Sequence, residues 1–147
     1  MGQLALPSSA IVYVDTAIFI YTVEAKPAYF TALQPLWQQF QIGDIELITS
    51  ELTLMEILVT PLRNSDSNLV SDYEQLLTAS EIRLLPINQS ILKTAAHLRA
   101  TTNLKTPDAI HASTAMNHTC TIFLTNDRGF QSTSNLPVLI LSEVMQA

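Results

Sequence analysis

Four acidic residues occupy positions from which carboxylates can act on a ligand: Asp15, Glu56, Asp108 and Asp127. Asp15 ends Ala10-Ile-Val-Tyr-Val14, a run with the length and β-branched character of a buried strand. Asp127 follows another such run, Thr119 to Leu124. Glu56 falls in the helical segment after Ser50, and Asp108 in the first turn of one opening at Lys105-Thr106-Pro107. In a parallel sheet, ligands bind outside the carboxyl ends of the strands, where the following helices begin. Acids gathered there repel one another, which raises some of their pKa values. Divalent cations remove that repulsion. Mg²⁺ and Mn²⁺ prefer oxygen ligands and keep several waters. Such a site can hold a phosphate oxygen, lower the pKa of a water and stabilise a leaving oxygen. Phosphodiester hydrolysis fits this acid-rich pattern best.

Each acid also has a purely structural alternative. An Asp at a strand-to-helix junction can simply cap the helix. Asp108 near a helix N-terminus suits the macrodipole without any function. Glu56 could be a solvated residue, although at about 100° per residue it falls at the edge of the apolar stripe beside Leu52 and Val59. Glu51 is the runner-up for the Glu56 role, and Glu24 reads as solvated. His111 lies three residues after Asp108 on one helix face, and a satisfied histidine at the wall of the site is preferred over a ligand or a base. His97 and His118 have no sequence partner. Lys105 and Arg128 flank the acids, to meet a phosphate or face solvent. Tyr21, Phe30 and Trp37 suit a core or a dimer face rather than a base-stacking platform.

The elements that must position these acids alternate along the chain. A strand at 10–14 leads into a helix at 16–24, and Pro27 opens another with Leu33, Leu36, Trp37 and Phe40 on one face. Pro35 should kink or shift that helix, and Gly43 is a plausible stop for it. A strand at 45–49 precedes Ser50, a good N-cap, and a helix whose apolar residues are Leu52, Met55, Leu58, Val59 and Leu62. Pro61 is awkward in its last turn. After a polar loop at 64–68, Leu69, Tyr73, Leu76 and Leu77 define a further helix. A strand at 82–87 is ended or pushed to an edge by Pro86. Helices follow at 88–102 and from Lys105, the latter with Thr106 as N-cap and Pro107 at its first position. Strands at 119–124 and 138–141 and a short tail at 142–147 complete the chain. This alternation implies right-handed crossovers, a central parallel sheet of about five strands and helices on both faces: a three-layer α/β/α domain. The strand order is left open.

Bulk properties narrow the function further. At 147 residues the chain fits one domain spanning 1–147. With only three glycines it has no phosphate-cradling loop or dinucleotide fingerprint. A net charge of −6 argues against gripping nucleic acid by a basic face, but not against reaching phosphates through cations. The lone Cys120 excludes an intrachain disulfide and a thiolate zinc site, and reads as small core filler. The start lacks a signal-peptide pattern and no run is long enough to span a bilayer, so a cytoplasmic protein is expected.

Four segments together carry a family resemblance: Ile-Val-Tyr-Val-Asp15-Thr16, Ser50-Glu-Leu-Thr53-Leu-Met-Glu56, Lys105-Thr-Pro-Asp108-Ala109-Ile and Leu124-Thr125-Asn-Asp127-Arg-Gly-Phe130. They resemble, in order and spacing, the motifs of PIN-domain ribonucleases, most of all the VapC-like toxins of type II toxin–antitoxin pairs. The resemblance implies a PIN-like fold and a metal-dependent endoribonuclease that hydrolyses RNA phosphodiester bonds. It implies Asp15, Glu56, Asp108 and Asp127 as catalytic ligands of Mg²⁺ or Mn²⁺, with Thr16 and Thr125 supporting them by hydrogen bonds. It further implies 5′-phosphate and 3′-hydroxyl products, a cognate antitoxin that blocks the acidic pocket, and a homodimer. The family often has another acid two residues after the position of Asp127. Here that position is Gly129, which points to one tightly held ion. A non-catalytic PIN-like module that binds RNA or protein is the alternative. Haloacid-dehalogenase-like phosphatases need an Asp where this chain has Ala17, and receiver domains need adjacent acids that are absent.

Overall fold

Alternation along short apolar strands sorts their side chains onto two faces of one sheet. β1 (Ile11–Val14), β2 (Glu46–Ser50), β3 (Arg83–Leu85), β4 (Ile122–Thr125) and β5 (Val138–Ile140) pair in the order β3-β2-β1-β4-β5. Every neighbouring pair is parallel, and Tyr13 lies level with Ile48 on one side and Phe123 on the other. The helices are α1 (Thr16–Val23), α2 (Pro27–Gln41), α3 (Glu51–Arg63), α4 (Ser67–Thr78), α5 (Gln89–Thr101), α6 (Thr106–Asn117) and α7 (Leu141–Gln146), with a 3-10 helix at Arg128–Ser132. This computed structural model describes residues 2–146.

A parallel sheet needs cover on both faces. Val12, Val14, Leu47 and Leu124 pack against Ile18 and Phe19 of α1, Leu33 and Leu36 of α2, Ile57 of α3 and Tyr73 and Leu77 of α4. On the opposite face, Tyr13, Ile48 and Phe123 pack against Ala95 and Leu98 of α5 and Ala109, Ala112 and Ala115 of α6. The result is the three-layer α/β/α architecture with a five-stranded parallel sheet. β1 is the central strand, so Asp15 emerges at the middle of the carboxyl edge. β3 lies at the sheet's border, where the following Pro86 loses no ladder bond.

Several expectations are corrected. The buried line of α3 is Thr53, Ile57 and Pro61, whereas Met55 (57%), Val59 (39%) and Leu62 (60%) are exposed. Thr53 is buried because its hydroxyl shares a 2.7 Å hydrogen bond with Thr49, whose hydroxyl donates to the Val14 carbonyl at 2.8 Å. This rotation puts Glu56 beside the buried line, half-exposed. Pro35 does not interrupt α2, since the Thr31 carbonyl it deprives lies on an exposed turn. Gly43 (φ +77°) ends that helix, with Gly43 N donating to Phe40 O and Asp44 N to Gln39 O. Lys105, not Thr106, is the N-cap of α6, and the Thr106 hydroxyl accepts from Arg99. Glu24 is not merely solvated: it accepts from the Tyr73 phenol and pairs with Lys26 at 3.6 Å. The tail folds as α7, with Ala147 outside the described residues.

Candidate active site

The site begins where β1 runs out. Asp15 caps α1, its Oδ1 accepting from Thr16 N at 2.9 Å, while its Oδ2 accepts from the Thr125 hydroxyl at 2.7 Å. The cap and the candidate acid are therefore one residue, with both oxygens engaged. Thr16 reaches further, since its hydroxyl donates to Glu56 Oε1 at 2.8 Å. Thr125, at the end of β4, also accepts from Asp127 N at 3.0 Å, which ties the Asp127 backbone to Asp15. Asp127 caps the 3-10 helix through Oδ1, which accepts from Gly129 N at 2.8 Å. A Cβ at position 129 would lie 3.1 Å from that oxygen, so glycine permits the close approach.

Glu56 receives a second donor. His111, buried on α6, places Nε2 2.6 Å from Oε1 and 4.0 Å from Asp15 Oδ1. Its Nδ1 lies 2.6 Å from the Tyr13 phenol, whose oxygen accepts from Ser50 N at 3.2 Å. Glu56 belongs to a helix on one face of the sheet and His111 to a helix on the other. Their hydrogen bond joins the two layers over the carboxyl edge.

Electrostatics separates the acids. Burial raises the Glu56 pKa, but the His111 and Thr16 hydrogen bonds outweigh it and hold Glu56 below its ordinary value. Asp108 stands above its ordinary value, first through burial and then through the charges of Asp127 and Asp15, with Glu56 adding to them and His111 opposing. A first-turn Asp would normally be favoured as an anion. The upward shift therefore records burial first and, beyond it, a deficit of positive charge shared with the other acids. Asp15, Glu56 and Asp127 are joined by hydrogen bonds through Thr16 and Thr125, whereas Asp108 enters the group by charge alone.

Among the described residues, no three His, Cys, Asp or Glu side chains stand as a ready-made metal cluster. Both oxygens of Asp15 and one each of Glu56 and Asp127 accept from protein donors. The donor set, all carboxylate oxygen with an unrelieved negative charge, nevertheless suits a hard divalent cation.

A cleft of about 530 Å³ opens beside Asp127, lined by Asn126, Arg128, Ile140 and Ser142. Asn126 braces this corner by accepting from Ser142 N and Oγ and donating to the Tyr21 phenol. Arg128 pairs with Glu143 at 3.1 Å, and Lys105 is exposed. Phe30 and Trp37 line a separate apolar groove with Leu33 and Leu76, and Tyr21 stacks on Tyr29. Sequence reasoning passes over Tyr13 entirely. The available signal is a phenol in an otherwise aliphatic strand, which must find a partner once buried.

The PIN domain family model matches residues 12–136 of this chain. The chain belongs to the PIN domain family. No curated protein matches the sequence closely. Among solved structures, DNA-bound VapBC from Salmonella typhimurium is similar, with TM-score 0.72, 17% identity and coverage of 90% of this chain and 98% of that one. VapBC2 from Rickettsia felis, bound to a promoter DNA fragment, gives TM-score 0.71 at 15% identity over 88% of this chain and 98% of that one. A toxin–antitoxin complex from Klebsiella pneumoniae gives TM-score 0.65 at 22% identity over 88% and 97% respectively. At these identities the likeness is one of fold.

Proposed function

We propose that this chain is a divalent-cation-dependent endoribonuclease and the toxin of a toxin–antitoxin pair. The observation that carries the reading is the convergence of Asp15, Glu56 and Asp127 at the carboxyl edge of the sheet, joined through the Thr16 and Thr125 hydroxyls, with Asp108 close enough for its charge to couple to theirs. Membership of the PIN domain family and the fold shared with the VapBC structures support it. Asp15, Glu56, Asp108 and Asp127 would hold Mg²⁺ or Mn²⁺. Such an ion, when bound, supplies Lewis-acid polarisation of a phosphoryl oxygen and a lowered water pKa. The chain's own residues do the arranging. Thr125 fixes Asp15, Thr16 fixes Glu56, and Asn126 braces the segment that carries Asp127.

A cytoplasmic chain paired with an antitoxin belongs to the same reading, as does a homodimer, which the exposed Met55, Val59 and Leu62 stripe supports. Among the described residues, no helix is long and apolar enough to cross a membrane. Two observations favour a non-catalytic RNA- or protein-binding module instead: Asp127 Oδ1 is committed to Gly129 N, and no ready cluster exists among the described residues. Incubation of purified chain with structured RNA and Mn²⁺ separates the two. The nuclease reading expects cleavage to 5′-phosphate ends, stopped by chelator and by Asp15→Asn. Cleavage that survives Asp15→Asn contradicts the site, and no cleavage under any divalent cation favours the binding module.

A further inference from the structure

Beneath the acidic edge lies a polar chain that the proposed chemistry does not itself require. Tyr13 is 0% exposed and His111 1% exposed, beside a cluster of buried alanine, leucine, isoleucine and phenylalanine side chains. Burying two polar side chains there is costly unless every donor and acceptor is matched. The directions of the bonds can be assigned. Ser50 N–H donates into the Tyr13 oxygen, so the phenol proton needs an acceptor, and His111 Nδ1 stands 2.6 Å away. A phenol keeps its proton at neutral pH, so it is a donor here. With Nδ1 accepting, Nε2 carries the ring proton and donates to Glu56 Oε1 at 2.6 Å. The Thr16 hydroxyl falls on the same oxygen. Both donors use Oε1, which leaves Oε2 for a cation.

We propose that Tyr13 and His111 are positioning residues: the relay Ser50 N–H, Tyr13 O–H, His111 Nε2–H fixes one imidazole tautomer and, through it, the Glu56 carboxylate that would bind the divalent ion. The inference rests on the nuclease reading above and adds to it two residues outside the four acids. It accounts for three features at once. Glu56 sits in the second turn of α3, too far along the helix to be held by its own N-terminus. α6 packs Ala109, Ala112 and Ala115 on the sheet, yet also carries a fully buried histidine. The Glu56–His111 bond is a polar tie between helices of opposite layers at the candidate site. Outer partners of this kind commonly set ligand orientation, and losing one costs about 10–100-fold in metal affinity or activity.

The test is Mn²⁺ affinity of the full-length chain, followed by electron paramagnetic resonance, beside ¹⁵N NMR of the histidine ring in the metal-free protein at neutral pH. The wild type is expected to show His111 protonated at Nε2 and bare at Nδ1. His111→Phe should weaken Mn²⁺ binding about 10–100-fold. His111→Gln, whose amide can donate to Glu56 and accept from Tyr13, should recover most of that loss. Tyr13→Phe should give a mixture of ring tautomers and an intermediate affinity. A purely structural role predicts instead that folded variants lose thermal stability while Mn²⁺ affinity stays at the wild-type value, and that result overturns the proposal. A wild-type ring protonated at Nδ1 overturns it too. If His111→Phe does not fold, the Gln and Tyr13→Phe variants and the wild-type spectrum still decide. A wild type that binds Mn²⁺ and cleaves RNA, with His111→Phe equal to it in Mn²⁺ affinity, defeats this inference alone. A wild type that does neither defeats the nuclease reading beneath it.

Discussion

The two halves of the acidic edge are built differently. On the β1 and α3 side, Asp15 takes Thr16 N and the Thr125 hydroxyl, and Glu56 takes the Thr16 hydroxyl and His111. On the α6 and 3-10 side, Asp127 Oδ1 takes a single donor, Gly129 N, and among the described residues no protein donor hydrogen-bonds the Asp108 carboxylate. In the first half the protein holds Glu56 in its ionised form, as its lowered pKa records. In the second half burial and the neighbouring carboxylates push Asp108 the other way. The contrast suggests a division of labour: one side is stiff before any ligand arrives, and the other is completed by a cation.

That contrast can be broken by substitution. The largest effect is expected for loss of a carboxylate from either half. Asp15→Asn and Asp108→Asn should each lower kcat/KM on RNA by about a thousandfold, the scale of lost transition-state charge stabilisation. A variant within tenfold of wild type would remove that residue from the site. Next comes Thr125→Val, which keeps volume but deletes the hydroxyl serving Asp15 and Asp127 N. It should cost about 10–100-fold in Mn²⁺ affinity, read by titration calorimetry. An unchanged affinity would mean that Asp15 is held well enough by Thr16 N alone.

Stability should sharpen the contrast with opposite signs. Glu56 is lowered from its ordinary 4.5, so its contribution is present above pH 4.5 and is lost as pH falls through the folded value. Asp108 is raised from 3.8, so its ionisation costs stability above the folded value, and that cost disappears below pH 3.8. Metal-free Asp108→Asn should therefore melt above wild type at pH 7, with the gap closing toward pH 3.8, while Glu56→Gln should melt below it. Thermal melts across pH measure both, and a destabilised Asp108→Asn would contradict the charge-deficit account. The smallest effect is expected for Gly129→Ala, whose Cβ crowds Asp127 Oδ1 at 3.1 Å. It should lower Mn²⁺ affinity less than Thr125→Val, and an equal or larger loss would show that Gly129 N matters more than Thr125 to the arrangement.

Much of the fold is legible in the sequence because apolar runs, caps and prolines agree with one another. Ser50 caps α3 as its side chain predicts, and the strand ends at Asp15 and before Asp127 place two acids by themselves. The facing of α3 is not legible, since a threonine pair takes the buried line that periodicity assigns to leucines. The 3-10 helix is set by the local Asp127 cap on Gly129 N, and the start of α7 by Asn126 accepting from Ser142 N, rather than by an apolar period. The acids' spacing gives their neighbourhood but not their donors. Glu56 depends on His111, which lies 55 residues away, and His111 depends on Tyr13, 98 residues away. Contacts of that range leave no local pattern, beyond the oddity of a polar ring in an apolar element.

The most direct test of the central claim is anomalous diffraction at the manganese edge from crystals of the full-length chain soaked in Mn²⁺. The account predicts a peak at about 2.0–2.2 Å from a carboxylate oxygen of Asp15 and from at least one of Glu56, Asp108 and Asp127. A crystal saturated with Mn²⁺ that shows no peak at this edge of the sheet, with the acids keeping only their protein donors, would contradict it.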